Sequence, residues 1–215
     1  MTSTAKVKAC LEEANAQGGA VVLLTNTMAS PSTDALIDEL KAKYPTVKHI
    51  IYDAVSDSNA LDAFEQVYGI RALANYDFSK ADVIVSVGAD FLGDWQGGGY
   101  DSGYAKGRIP QNGKMSRHFQ FESNLSLTGA NADYRTPIKA SQSGLAVLAL
   151  YNAIAAKAGV APVSAPKVEV AHLDKAANDL WTAKGASLVV SGSNDPNVQI
   201  VINAINEMLG NNGAT

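Results

Sequence analysis

GGAVVLLTNTMASPSTDALIDEL, residues 18–40, and GASLVVSGSNDPNVQIVINAINEML, residues 185–209, follow one design. Each opens with a short apolar run, turns through small polar residues to a proline, and continues with apolar residues at helical spacing. In the first, Ala20–Thr25 reads as a buried strand. Ser30 and Pro31 then open a helix, the serine as cap and the proline in the first turn, where its missing N–H is no loss. The helix runs to about Lys43, with Leu36, Ile37 and Leu40 on one face. In the second, Asp195-Pro196 begins the helix in the same way. Strand followed by amphipathic helix is the mark of βα units on a mostly parallel sheet. Two copies are too few for a solenoid, which leaves two units of one layered sheet.

Between them the alternation continues. Tyr44-Pro45 ends the first helix, Val47–Tyr52 is a second strand, and Asn59–Tyr68 is a helix closed by Gly69. Ala81–Val87, ADVIVSV, is the clearest strand. Gly88–Gly113 holds Gly88, Gly93, Gly97, Gly98, Gly99, Gly103, Gly107 and Gly113, a density that predicts a long loop. Trp95, Tyr100 and Tyr104, interleaved with those glycines, suit contact with another domain or subunit, or a loop folded back on its own domain. A fourth strand is expected near His118–Phe121 and an apolar helix over Gly144–Ala158. GVAPVSAPK, beginning at Gly159, reads as an extended connector. The expected fold is three-layer α/β/α with a mostly parallel sheet. One domain spans 1–215, with a main βα portion at 1–158, a connector at 159–168 and a final helix–strand–helix at 169–215 on the same sheet.

Composition narrows the function. Of 215 residues, 47% are apolar and 18% charged, enough apolar surface for a core and too little charge for a disordered chain. A net charge of −4 gives no basic face, so nucleic acid is not an expected partner. No apolar run reaches the roughly 18–20 residues that span a bilayer, so no membrane insertion is expected and the piece should be soluble. The opening MTSTAKVKACLEEANAQGG lacks the apolar core of a signal peptide. Cys10 stands alone, which excludes an internal disulfide, a cysteine zinc site and a Cys-ligated iron–sulfur cluster; beside Val7 and Leu11 it is expected to be buried. His49, His118 and His172 form no ligand pair at helical spacing.

Nucleotide signatures come close and fail. Gly107-Arg-Ile-Pro-Gln-Asn-Gly113-Lys114-Met115 is one residue too long for a P-loop and puts methionine where a magnesium-binding hydroxyl belongs. Gly97-Gly98-Gly99 is not GxGxxG, and no helix is expected to begin there. Strand ends are better candidates, because open α/β sheets take ligands beyond the carboxyl ends of their strands. Gly88 and Asp90 after the third strand, and Glu122 after the fourth, could each serve a ligand or simply form a polar turn. Asp53, Ser56, Asp57 and Ser58 follow the second strand; as a polar loop they would end in a helix cap at Ser58 or Asp57.

Three stretches, in order, resemble the molybdopterin oxidoreductase family. ADVIVSVGAD (81–90) is similar to that family's A-D-V-I-L-V-x-G-x-N. ESNLSLTGANADYRTPI (122–138) is similar to D-P-R-x-T-x-T-A-x-x-A-D-x-x-L-P-I. INAINEMLGNNG (202–213) is similar to an N-x-L-x-G-N-x-G ending. The resemblance covers residues 18 to 213 and implies the fold of that family's nucleotide-binding domains, with Gly88, Asp90, Glu122 and Ser143 at positions that help hold a bis-molybdopterin guanine dinucleotide. The departures are specific. D-P-R becomes Glu122-Ser123-Asn124, and P-G-T-D becomes Ala140-Ser141-Gln142-Ser143, losing the carboxylate that would pair with guanine. No cysteine lies between Asp53 and Ser58, where the metal ligand belongs; Ser56, Ser58, Asp53 or Asp57 would be the substitute.

With DFLGDW at 90–95 and NLSLTGANADYR at 124–135, the chain looks most like the large iron–sulfur subunit of alternative complex III, a bacterial quinol-oxidising membrane complex. That resemblance implies a cofactor-free scaffold or docking domain, excised from a longer chain. Its partners would be other domains and subunits, met through Gly88–Gly113, at the periplasmic face of the inner membrane. The alternatives are a working part of a molybdopterin guanine dinucleotide cradle, or an independent nucleotide-binding protein.

Overall fold

The computed structural model describes residues 2–28, 30–54, 56, 58–110 and 113–215. The chain forms two compact units, Met1–Ser56 and Asp57–Thr215.

The first unit contains α1 (Ser3–Gln17), β1 (Val21–Thr25), α2 (Pro31–Lys43) and β2 (Val47–Ile51), with β1 and β2 paired in parallel from Val21 opposite Val47 to Thr25 opposite Ile51. Ser30 caps α2 as expected, its Oγ accepting from Thr33 N at 3.4 Å. Packing within the unit is thin. Ile37 is the one buried residue of α2, and α1 buries none. Cys10 is therefore exposed, not buried: Val7 and Leu11 supply too narrow an apolar stripe to hold α1 against anything.

The second unit contains α3 (Asn59–Tyr68), β3 (Val83–Val87), α4 (Asp101–Arg108), β4 (Arg117–Glu122), α5 (Leu127–Ala130), β5 (Tyr134–Pro137), α6 (Ser143–Ala158), α7 (Leu173–Thr182), β6 (Ser187–Ser191) and α8 (Pro196–Met208). Four parallel strands lie in the order β5-β4-β3-β6, with Val83 opposite both Arg117 and Ser187. Strand alternation splits the side chains between two faces. Val83, Val85, Val87, Phe119, Phe121 and Val189 pack against α6, α7 and α8. Ile84, Leu188 and Val190 pack against Phe78, Phe91 and Tyr104. Helix, sheet and helix give three layers, the α/β/α class expected.

β1 pairs with β2 within the first unit, and β6 with β3 within the second. The glycine-rich segment is not a continuous loop, since it holds a 3-10 turn at Trp95–Gly97 and then α4, directly after the three glycines. Only some of its glycines serve close packing; Gly88, Gly97, Gly99 and Gly113 have positive φ and open space where a Cβ would stand. A Cβ on Gly103 would touch Phe78 at 3.6 Å, and one on Gly107 would press on Ser116 Oγ at 3.0 Å. Phe91 and Tyr104 are buried and Trp95 and Tyr100 pack against the same cluster, the second of the two readings for these aromatic side chains. Residues 160–170 carry no helix or strand, and Asn152 straps them down by pairing its amide with both the N–H and C=O of Val163.

Candidate functional site

The strand order places β3 and β4 so that Gly88, Asp90 and Glu122 all follow at their carboxyl ends. Gly88, at φ 71°, donates its N–H to Phe121 O at 2.8 Å. Gly192 follows β6 on the other side of β3, and a Cβ there would overlap the Gly88 carbonyl. Backbone packs directly on backbone at the point where an open α/β sheet usually leaves a crevice.

The four-residue α5 occupies the space beyond β3 and β4. Thr128 N donates to Asp90 Oδ1 at 2.9 Å, and Leu92 N donates to Thr128 Oγ1 at 2.9 Å, so Asp90 and Thr128 lock two segments together. Glu122 is 4% exposed. It accepts from Gln120 Nε2 at 3.1 Å, Ser126 N at 3.2 Å, Ser126 Oγ at 2.6 Å and Arg135 Nε at 2.6 Å. Burial pushes its carboxyl up, but these donors outweigh burial and hold it below the usual range. Gly129 is required beside it, because a Cβ there would collide with the carboxylate.

Glu122 ends a file of buried polar groups along one face of β4. His118 Nε2 meets Gln120 Oε1 at 3.3 Å, while Gln120 Nε2 is committed to Glu122. Complementarity therefore makes Nε2 the protonated nitrogen and Nδ1 the acceptor. The Tyr104 hydroxyl lies 3.2 Å from Nδ1 and 3.0 Å from Asn131 O. Burial lowers His118 from the usual 6.5 to about 4, against the opposing effect of the Gln120 bond, so it is neutral at physiological pH. Asp133 accepts from His118 N and pairs with Arg108 through two bonds of 2.7 and 2.8 Å.

Of the expected site residues, Gly88, Asp90 and Glu122 come together at the strand ends. Ser143 begins α6 and makes no contact in that network. Asp53 accepts from both N and Oγ1 of Thr27. Ser58 stands at the cap position of α3 without a side-chain capping bond. Ser56 precedes it, and Asp57 lies outside the described residues. Gln111 and Asn112, inside the P-loop-like stretch, also lie outside them. No group of three His, Cys, Asp or Glu among the described residues could hold a metal ion. Sequence reasoning missed Gln120, Ser126, Gly129 and Arg135; the alternation of His118, Gln120 and Glu122 at every second position was the available signal.

Glu122 is taken up by internal donors and Asp90 Oδ1 accepts from Thr128 N, while Gly88 is exposed with open space where a Cβ would stand. No protein-family model and no curated protein matches the chain. No helix among the described residues is long and apolar enough to cross a membrane.

Proposed function

We propose that this chain is a non-catalytic, cofactor-free scaffold and docking domain of a molybdopterin-oxidoreductase-like subunit in a quinol-oxidising electron-transfer complex. One observation carries the reading: Glu122, at a position where the resemblance implies cofactor contact, is buried with four internal donors on its carboxylate. A carboxylate so committed stabilises its own fold and has little capacity left for a nucleotide. Landmarks of the resemblance persist as structural joints: Glu122 holds α5 and Arg135, and Asn206 and Asn211 brace β6. The partners are other domains and subunits of that complex, at the periplasmic face of the bacterial inner membrane. Gly93, Asp94, Gly97 and Gly99, among the exposed residues of the glycine-rich segment, offer a contact with low side-chain entropy cost.

The test is elemental analysis with pterin fluorescence on the full-length parent. Electron transfer without molybdenum, tungsten or pterin is the expected outcome; one metal per polypeptide together with pterin overturns the reading.

A further inference from the structure

A second concavity lies at the other end of the sheet. It is formed by α3, residues 70–76, α8 and residues 211–213, beside the amino-terminal end of β6, and has a volume of about 400 Å³. Cavities of roughly 300–1,000 Å³ take small molecules. Phe64 and Tyr68, with ring centroids 4.5 Å apart, and Ile70 form an apolar wall. No Lys, Arg, Asp or Glu is among the described lining residues, so an ionic ligand would lose hydration with no counter-charge to replace it.

The polar groups have definite vacancies. Asn212 Nδ2 donates to Tyr68 Oη at 3.0 Å, which uses that oxygen as acceptor and leaves the phenolic proton for another partner. Tyr76 stacks on Trp95 at 5.6 Å, and its hydroxyl has no hydrogen bond to any described residue. Burial first, then the nearby Tyr100 and Tyr68 phenols, hold that phenol far above its usual pKa. Tyr76 is half-buried, so its hydroxyl is open to a ligand. The half-buried Asn203 amide is likewise unbonded and supplies one donor group and one acceptor. Asn206 and Asn211, by contrast, are fully engaged with β6 and with each other.

We propose that this cavity binds a neutral, flat, carbonyl-bearing heterocycle of nucleobase type, ringed by Phe64, Ile70 and Tyr68 and hydrogen-bonded by Tyr76 and Asn203. The site is separate from the strand-end positions and does not rest on the scaffold reading. Isothermal titration calorimetry of the whole chain with uridine, adenosine and guanosine, and with their 5′-monophosphates, tests it. Saturable one-site binding of at least one nucleoside is expected, no tighter for its monophosphate. Tyr76→Phe, which keeps the ring on Trp95, and Asn203→Ala should each weaken it about fivefold, the loss of one neutral hydrogen bond. Unchanged tryptophan fluorescence would verify that both variants are folded. No binding by any nucleoside overturns the proposal. So does affinity that rises with the phosphate, or that both variants leave intact.

Discussion

Strands β1 and β6 are each five residues long, each pairs in parallel with one neighbour, and each leads to a thirteen-residue helix with proline in its first turn. Their surroundings differ. Every residue of β6 is buried, whereas Val22 and Leu24 of β1 are 53% and 62% exposed. Around β6 the second unit supplies α6, α7 and α8 on one face and the Phe78–Phe91–Tyr104 cluster on the other. Within the first unit, α2 contributes only Ile37. An apolar run therefore reports that a strand can be buried; the number of layers its own unit provides decides how many faces are.

The free edges differ as well. In β6, Asn206 accepts from Val189 N at 3.0 Å and donates to Val189 O at 2.7 Å, replacing a neighbouring strand. Thr215 donates to Ser187 O at 2.8 Å and Gln199 to Ser191 O at 3.0 Å. These side chains close the outward backbone groups of β6, which an exposed edge would offer to another chain. At the place α2 matches to Asn206, counting from the proline, stands Lys41, exposed and paired with Asp38. One design gives a sealed strand and an open one.

The largest break in this contrast should come from Gly192→Ala. A Cβ there meets the Gly88 backbone, which cannot swing aside, so the second unit should lose about 4 kcal/mol. Asn26, which follows β1 as Gly192 follows β6, should accept alanine with less than about 0.5 kcal/mol of change. Both tryptophans, Trp95 and Trp181, belong to the second unit, so denaturant titration followed by their fluorescence reads it directly.

Acid should produce the next largest effect. Since the native state keeps His118 neutral down to about 4 while its usual value is 6.5, the unfolded chain takes up a proton first as pH falls. Stability from this residue is complete above the usual value and is lost progressively down to the folded one, roughly 3 kcal/mol in all. Chemical denaturation at neutral pH and near pH 4 (about the folded value), compared between the native chain and His118→Gln, isolates the effect; the variant should show a shallower fall.

Asn206→Leu should cost about 2 kcal/mol, because it strands the N–H and C=O of Val189 at a buried edge. Lys41→Leu, the matched change in α2, should stay within about 0.5 kcal/mol. Equal losses for the two would mean that the edge of β6 is not closed by Asn206. Native-state hydrogen exchange at Val189 gives an independent reading, with faster exchange expected in Asn206→Leu.

Much of the secondary structure was legible. ADVIVSV became β3, and both Ser-Pro and Asp-Pro starts became capped helices, since caps and turns depend on a few adjacent residues. α5 and β5 were not, being four residues each and held by Glu122 and by pairing with β4. The glycine-rich segment misled because glycine serves both mobile loops and tight contacts; only the neighbours Phe78 and Ser116 show that α4 uses the second property. The strand-end positions of Gly88, Asp90 and Glu122 were legible because strand ends are visible in sequence, whereas Arg135 and Gly129 were missed because their roles lie across space.

By itself the sequence determined the α/β class, the parallel strands and the chemistry of the helix starts, all of which follow from periodicity and local hydrogen bonding. Only the tertiary structure decided which strands share a sheet, which apolar runs are covered on both faces, and that Glu122 is occupied internally. Those outcomes depend on groups far apart in the chain, such as Asn206 with Val189, Arg135 with Glu122 and Gly192 with Gly88. Desolvation and packing act on distance in space, and no local pattern encodes that distance.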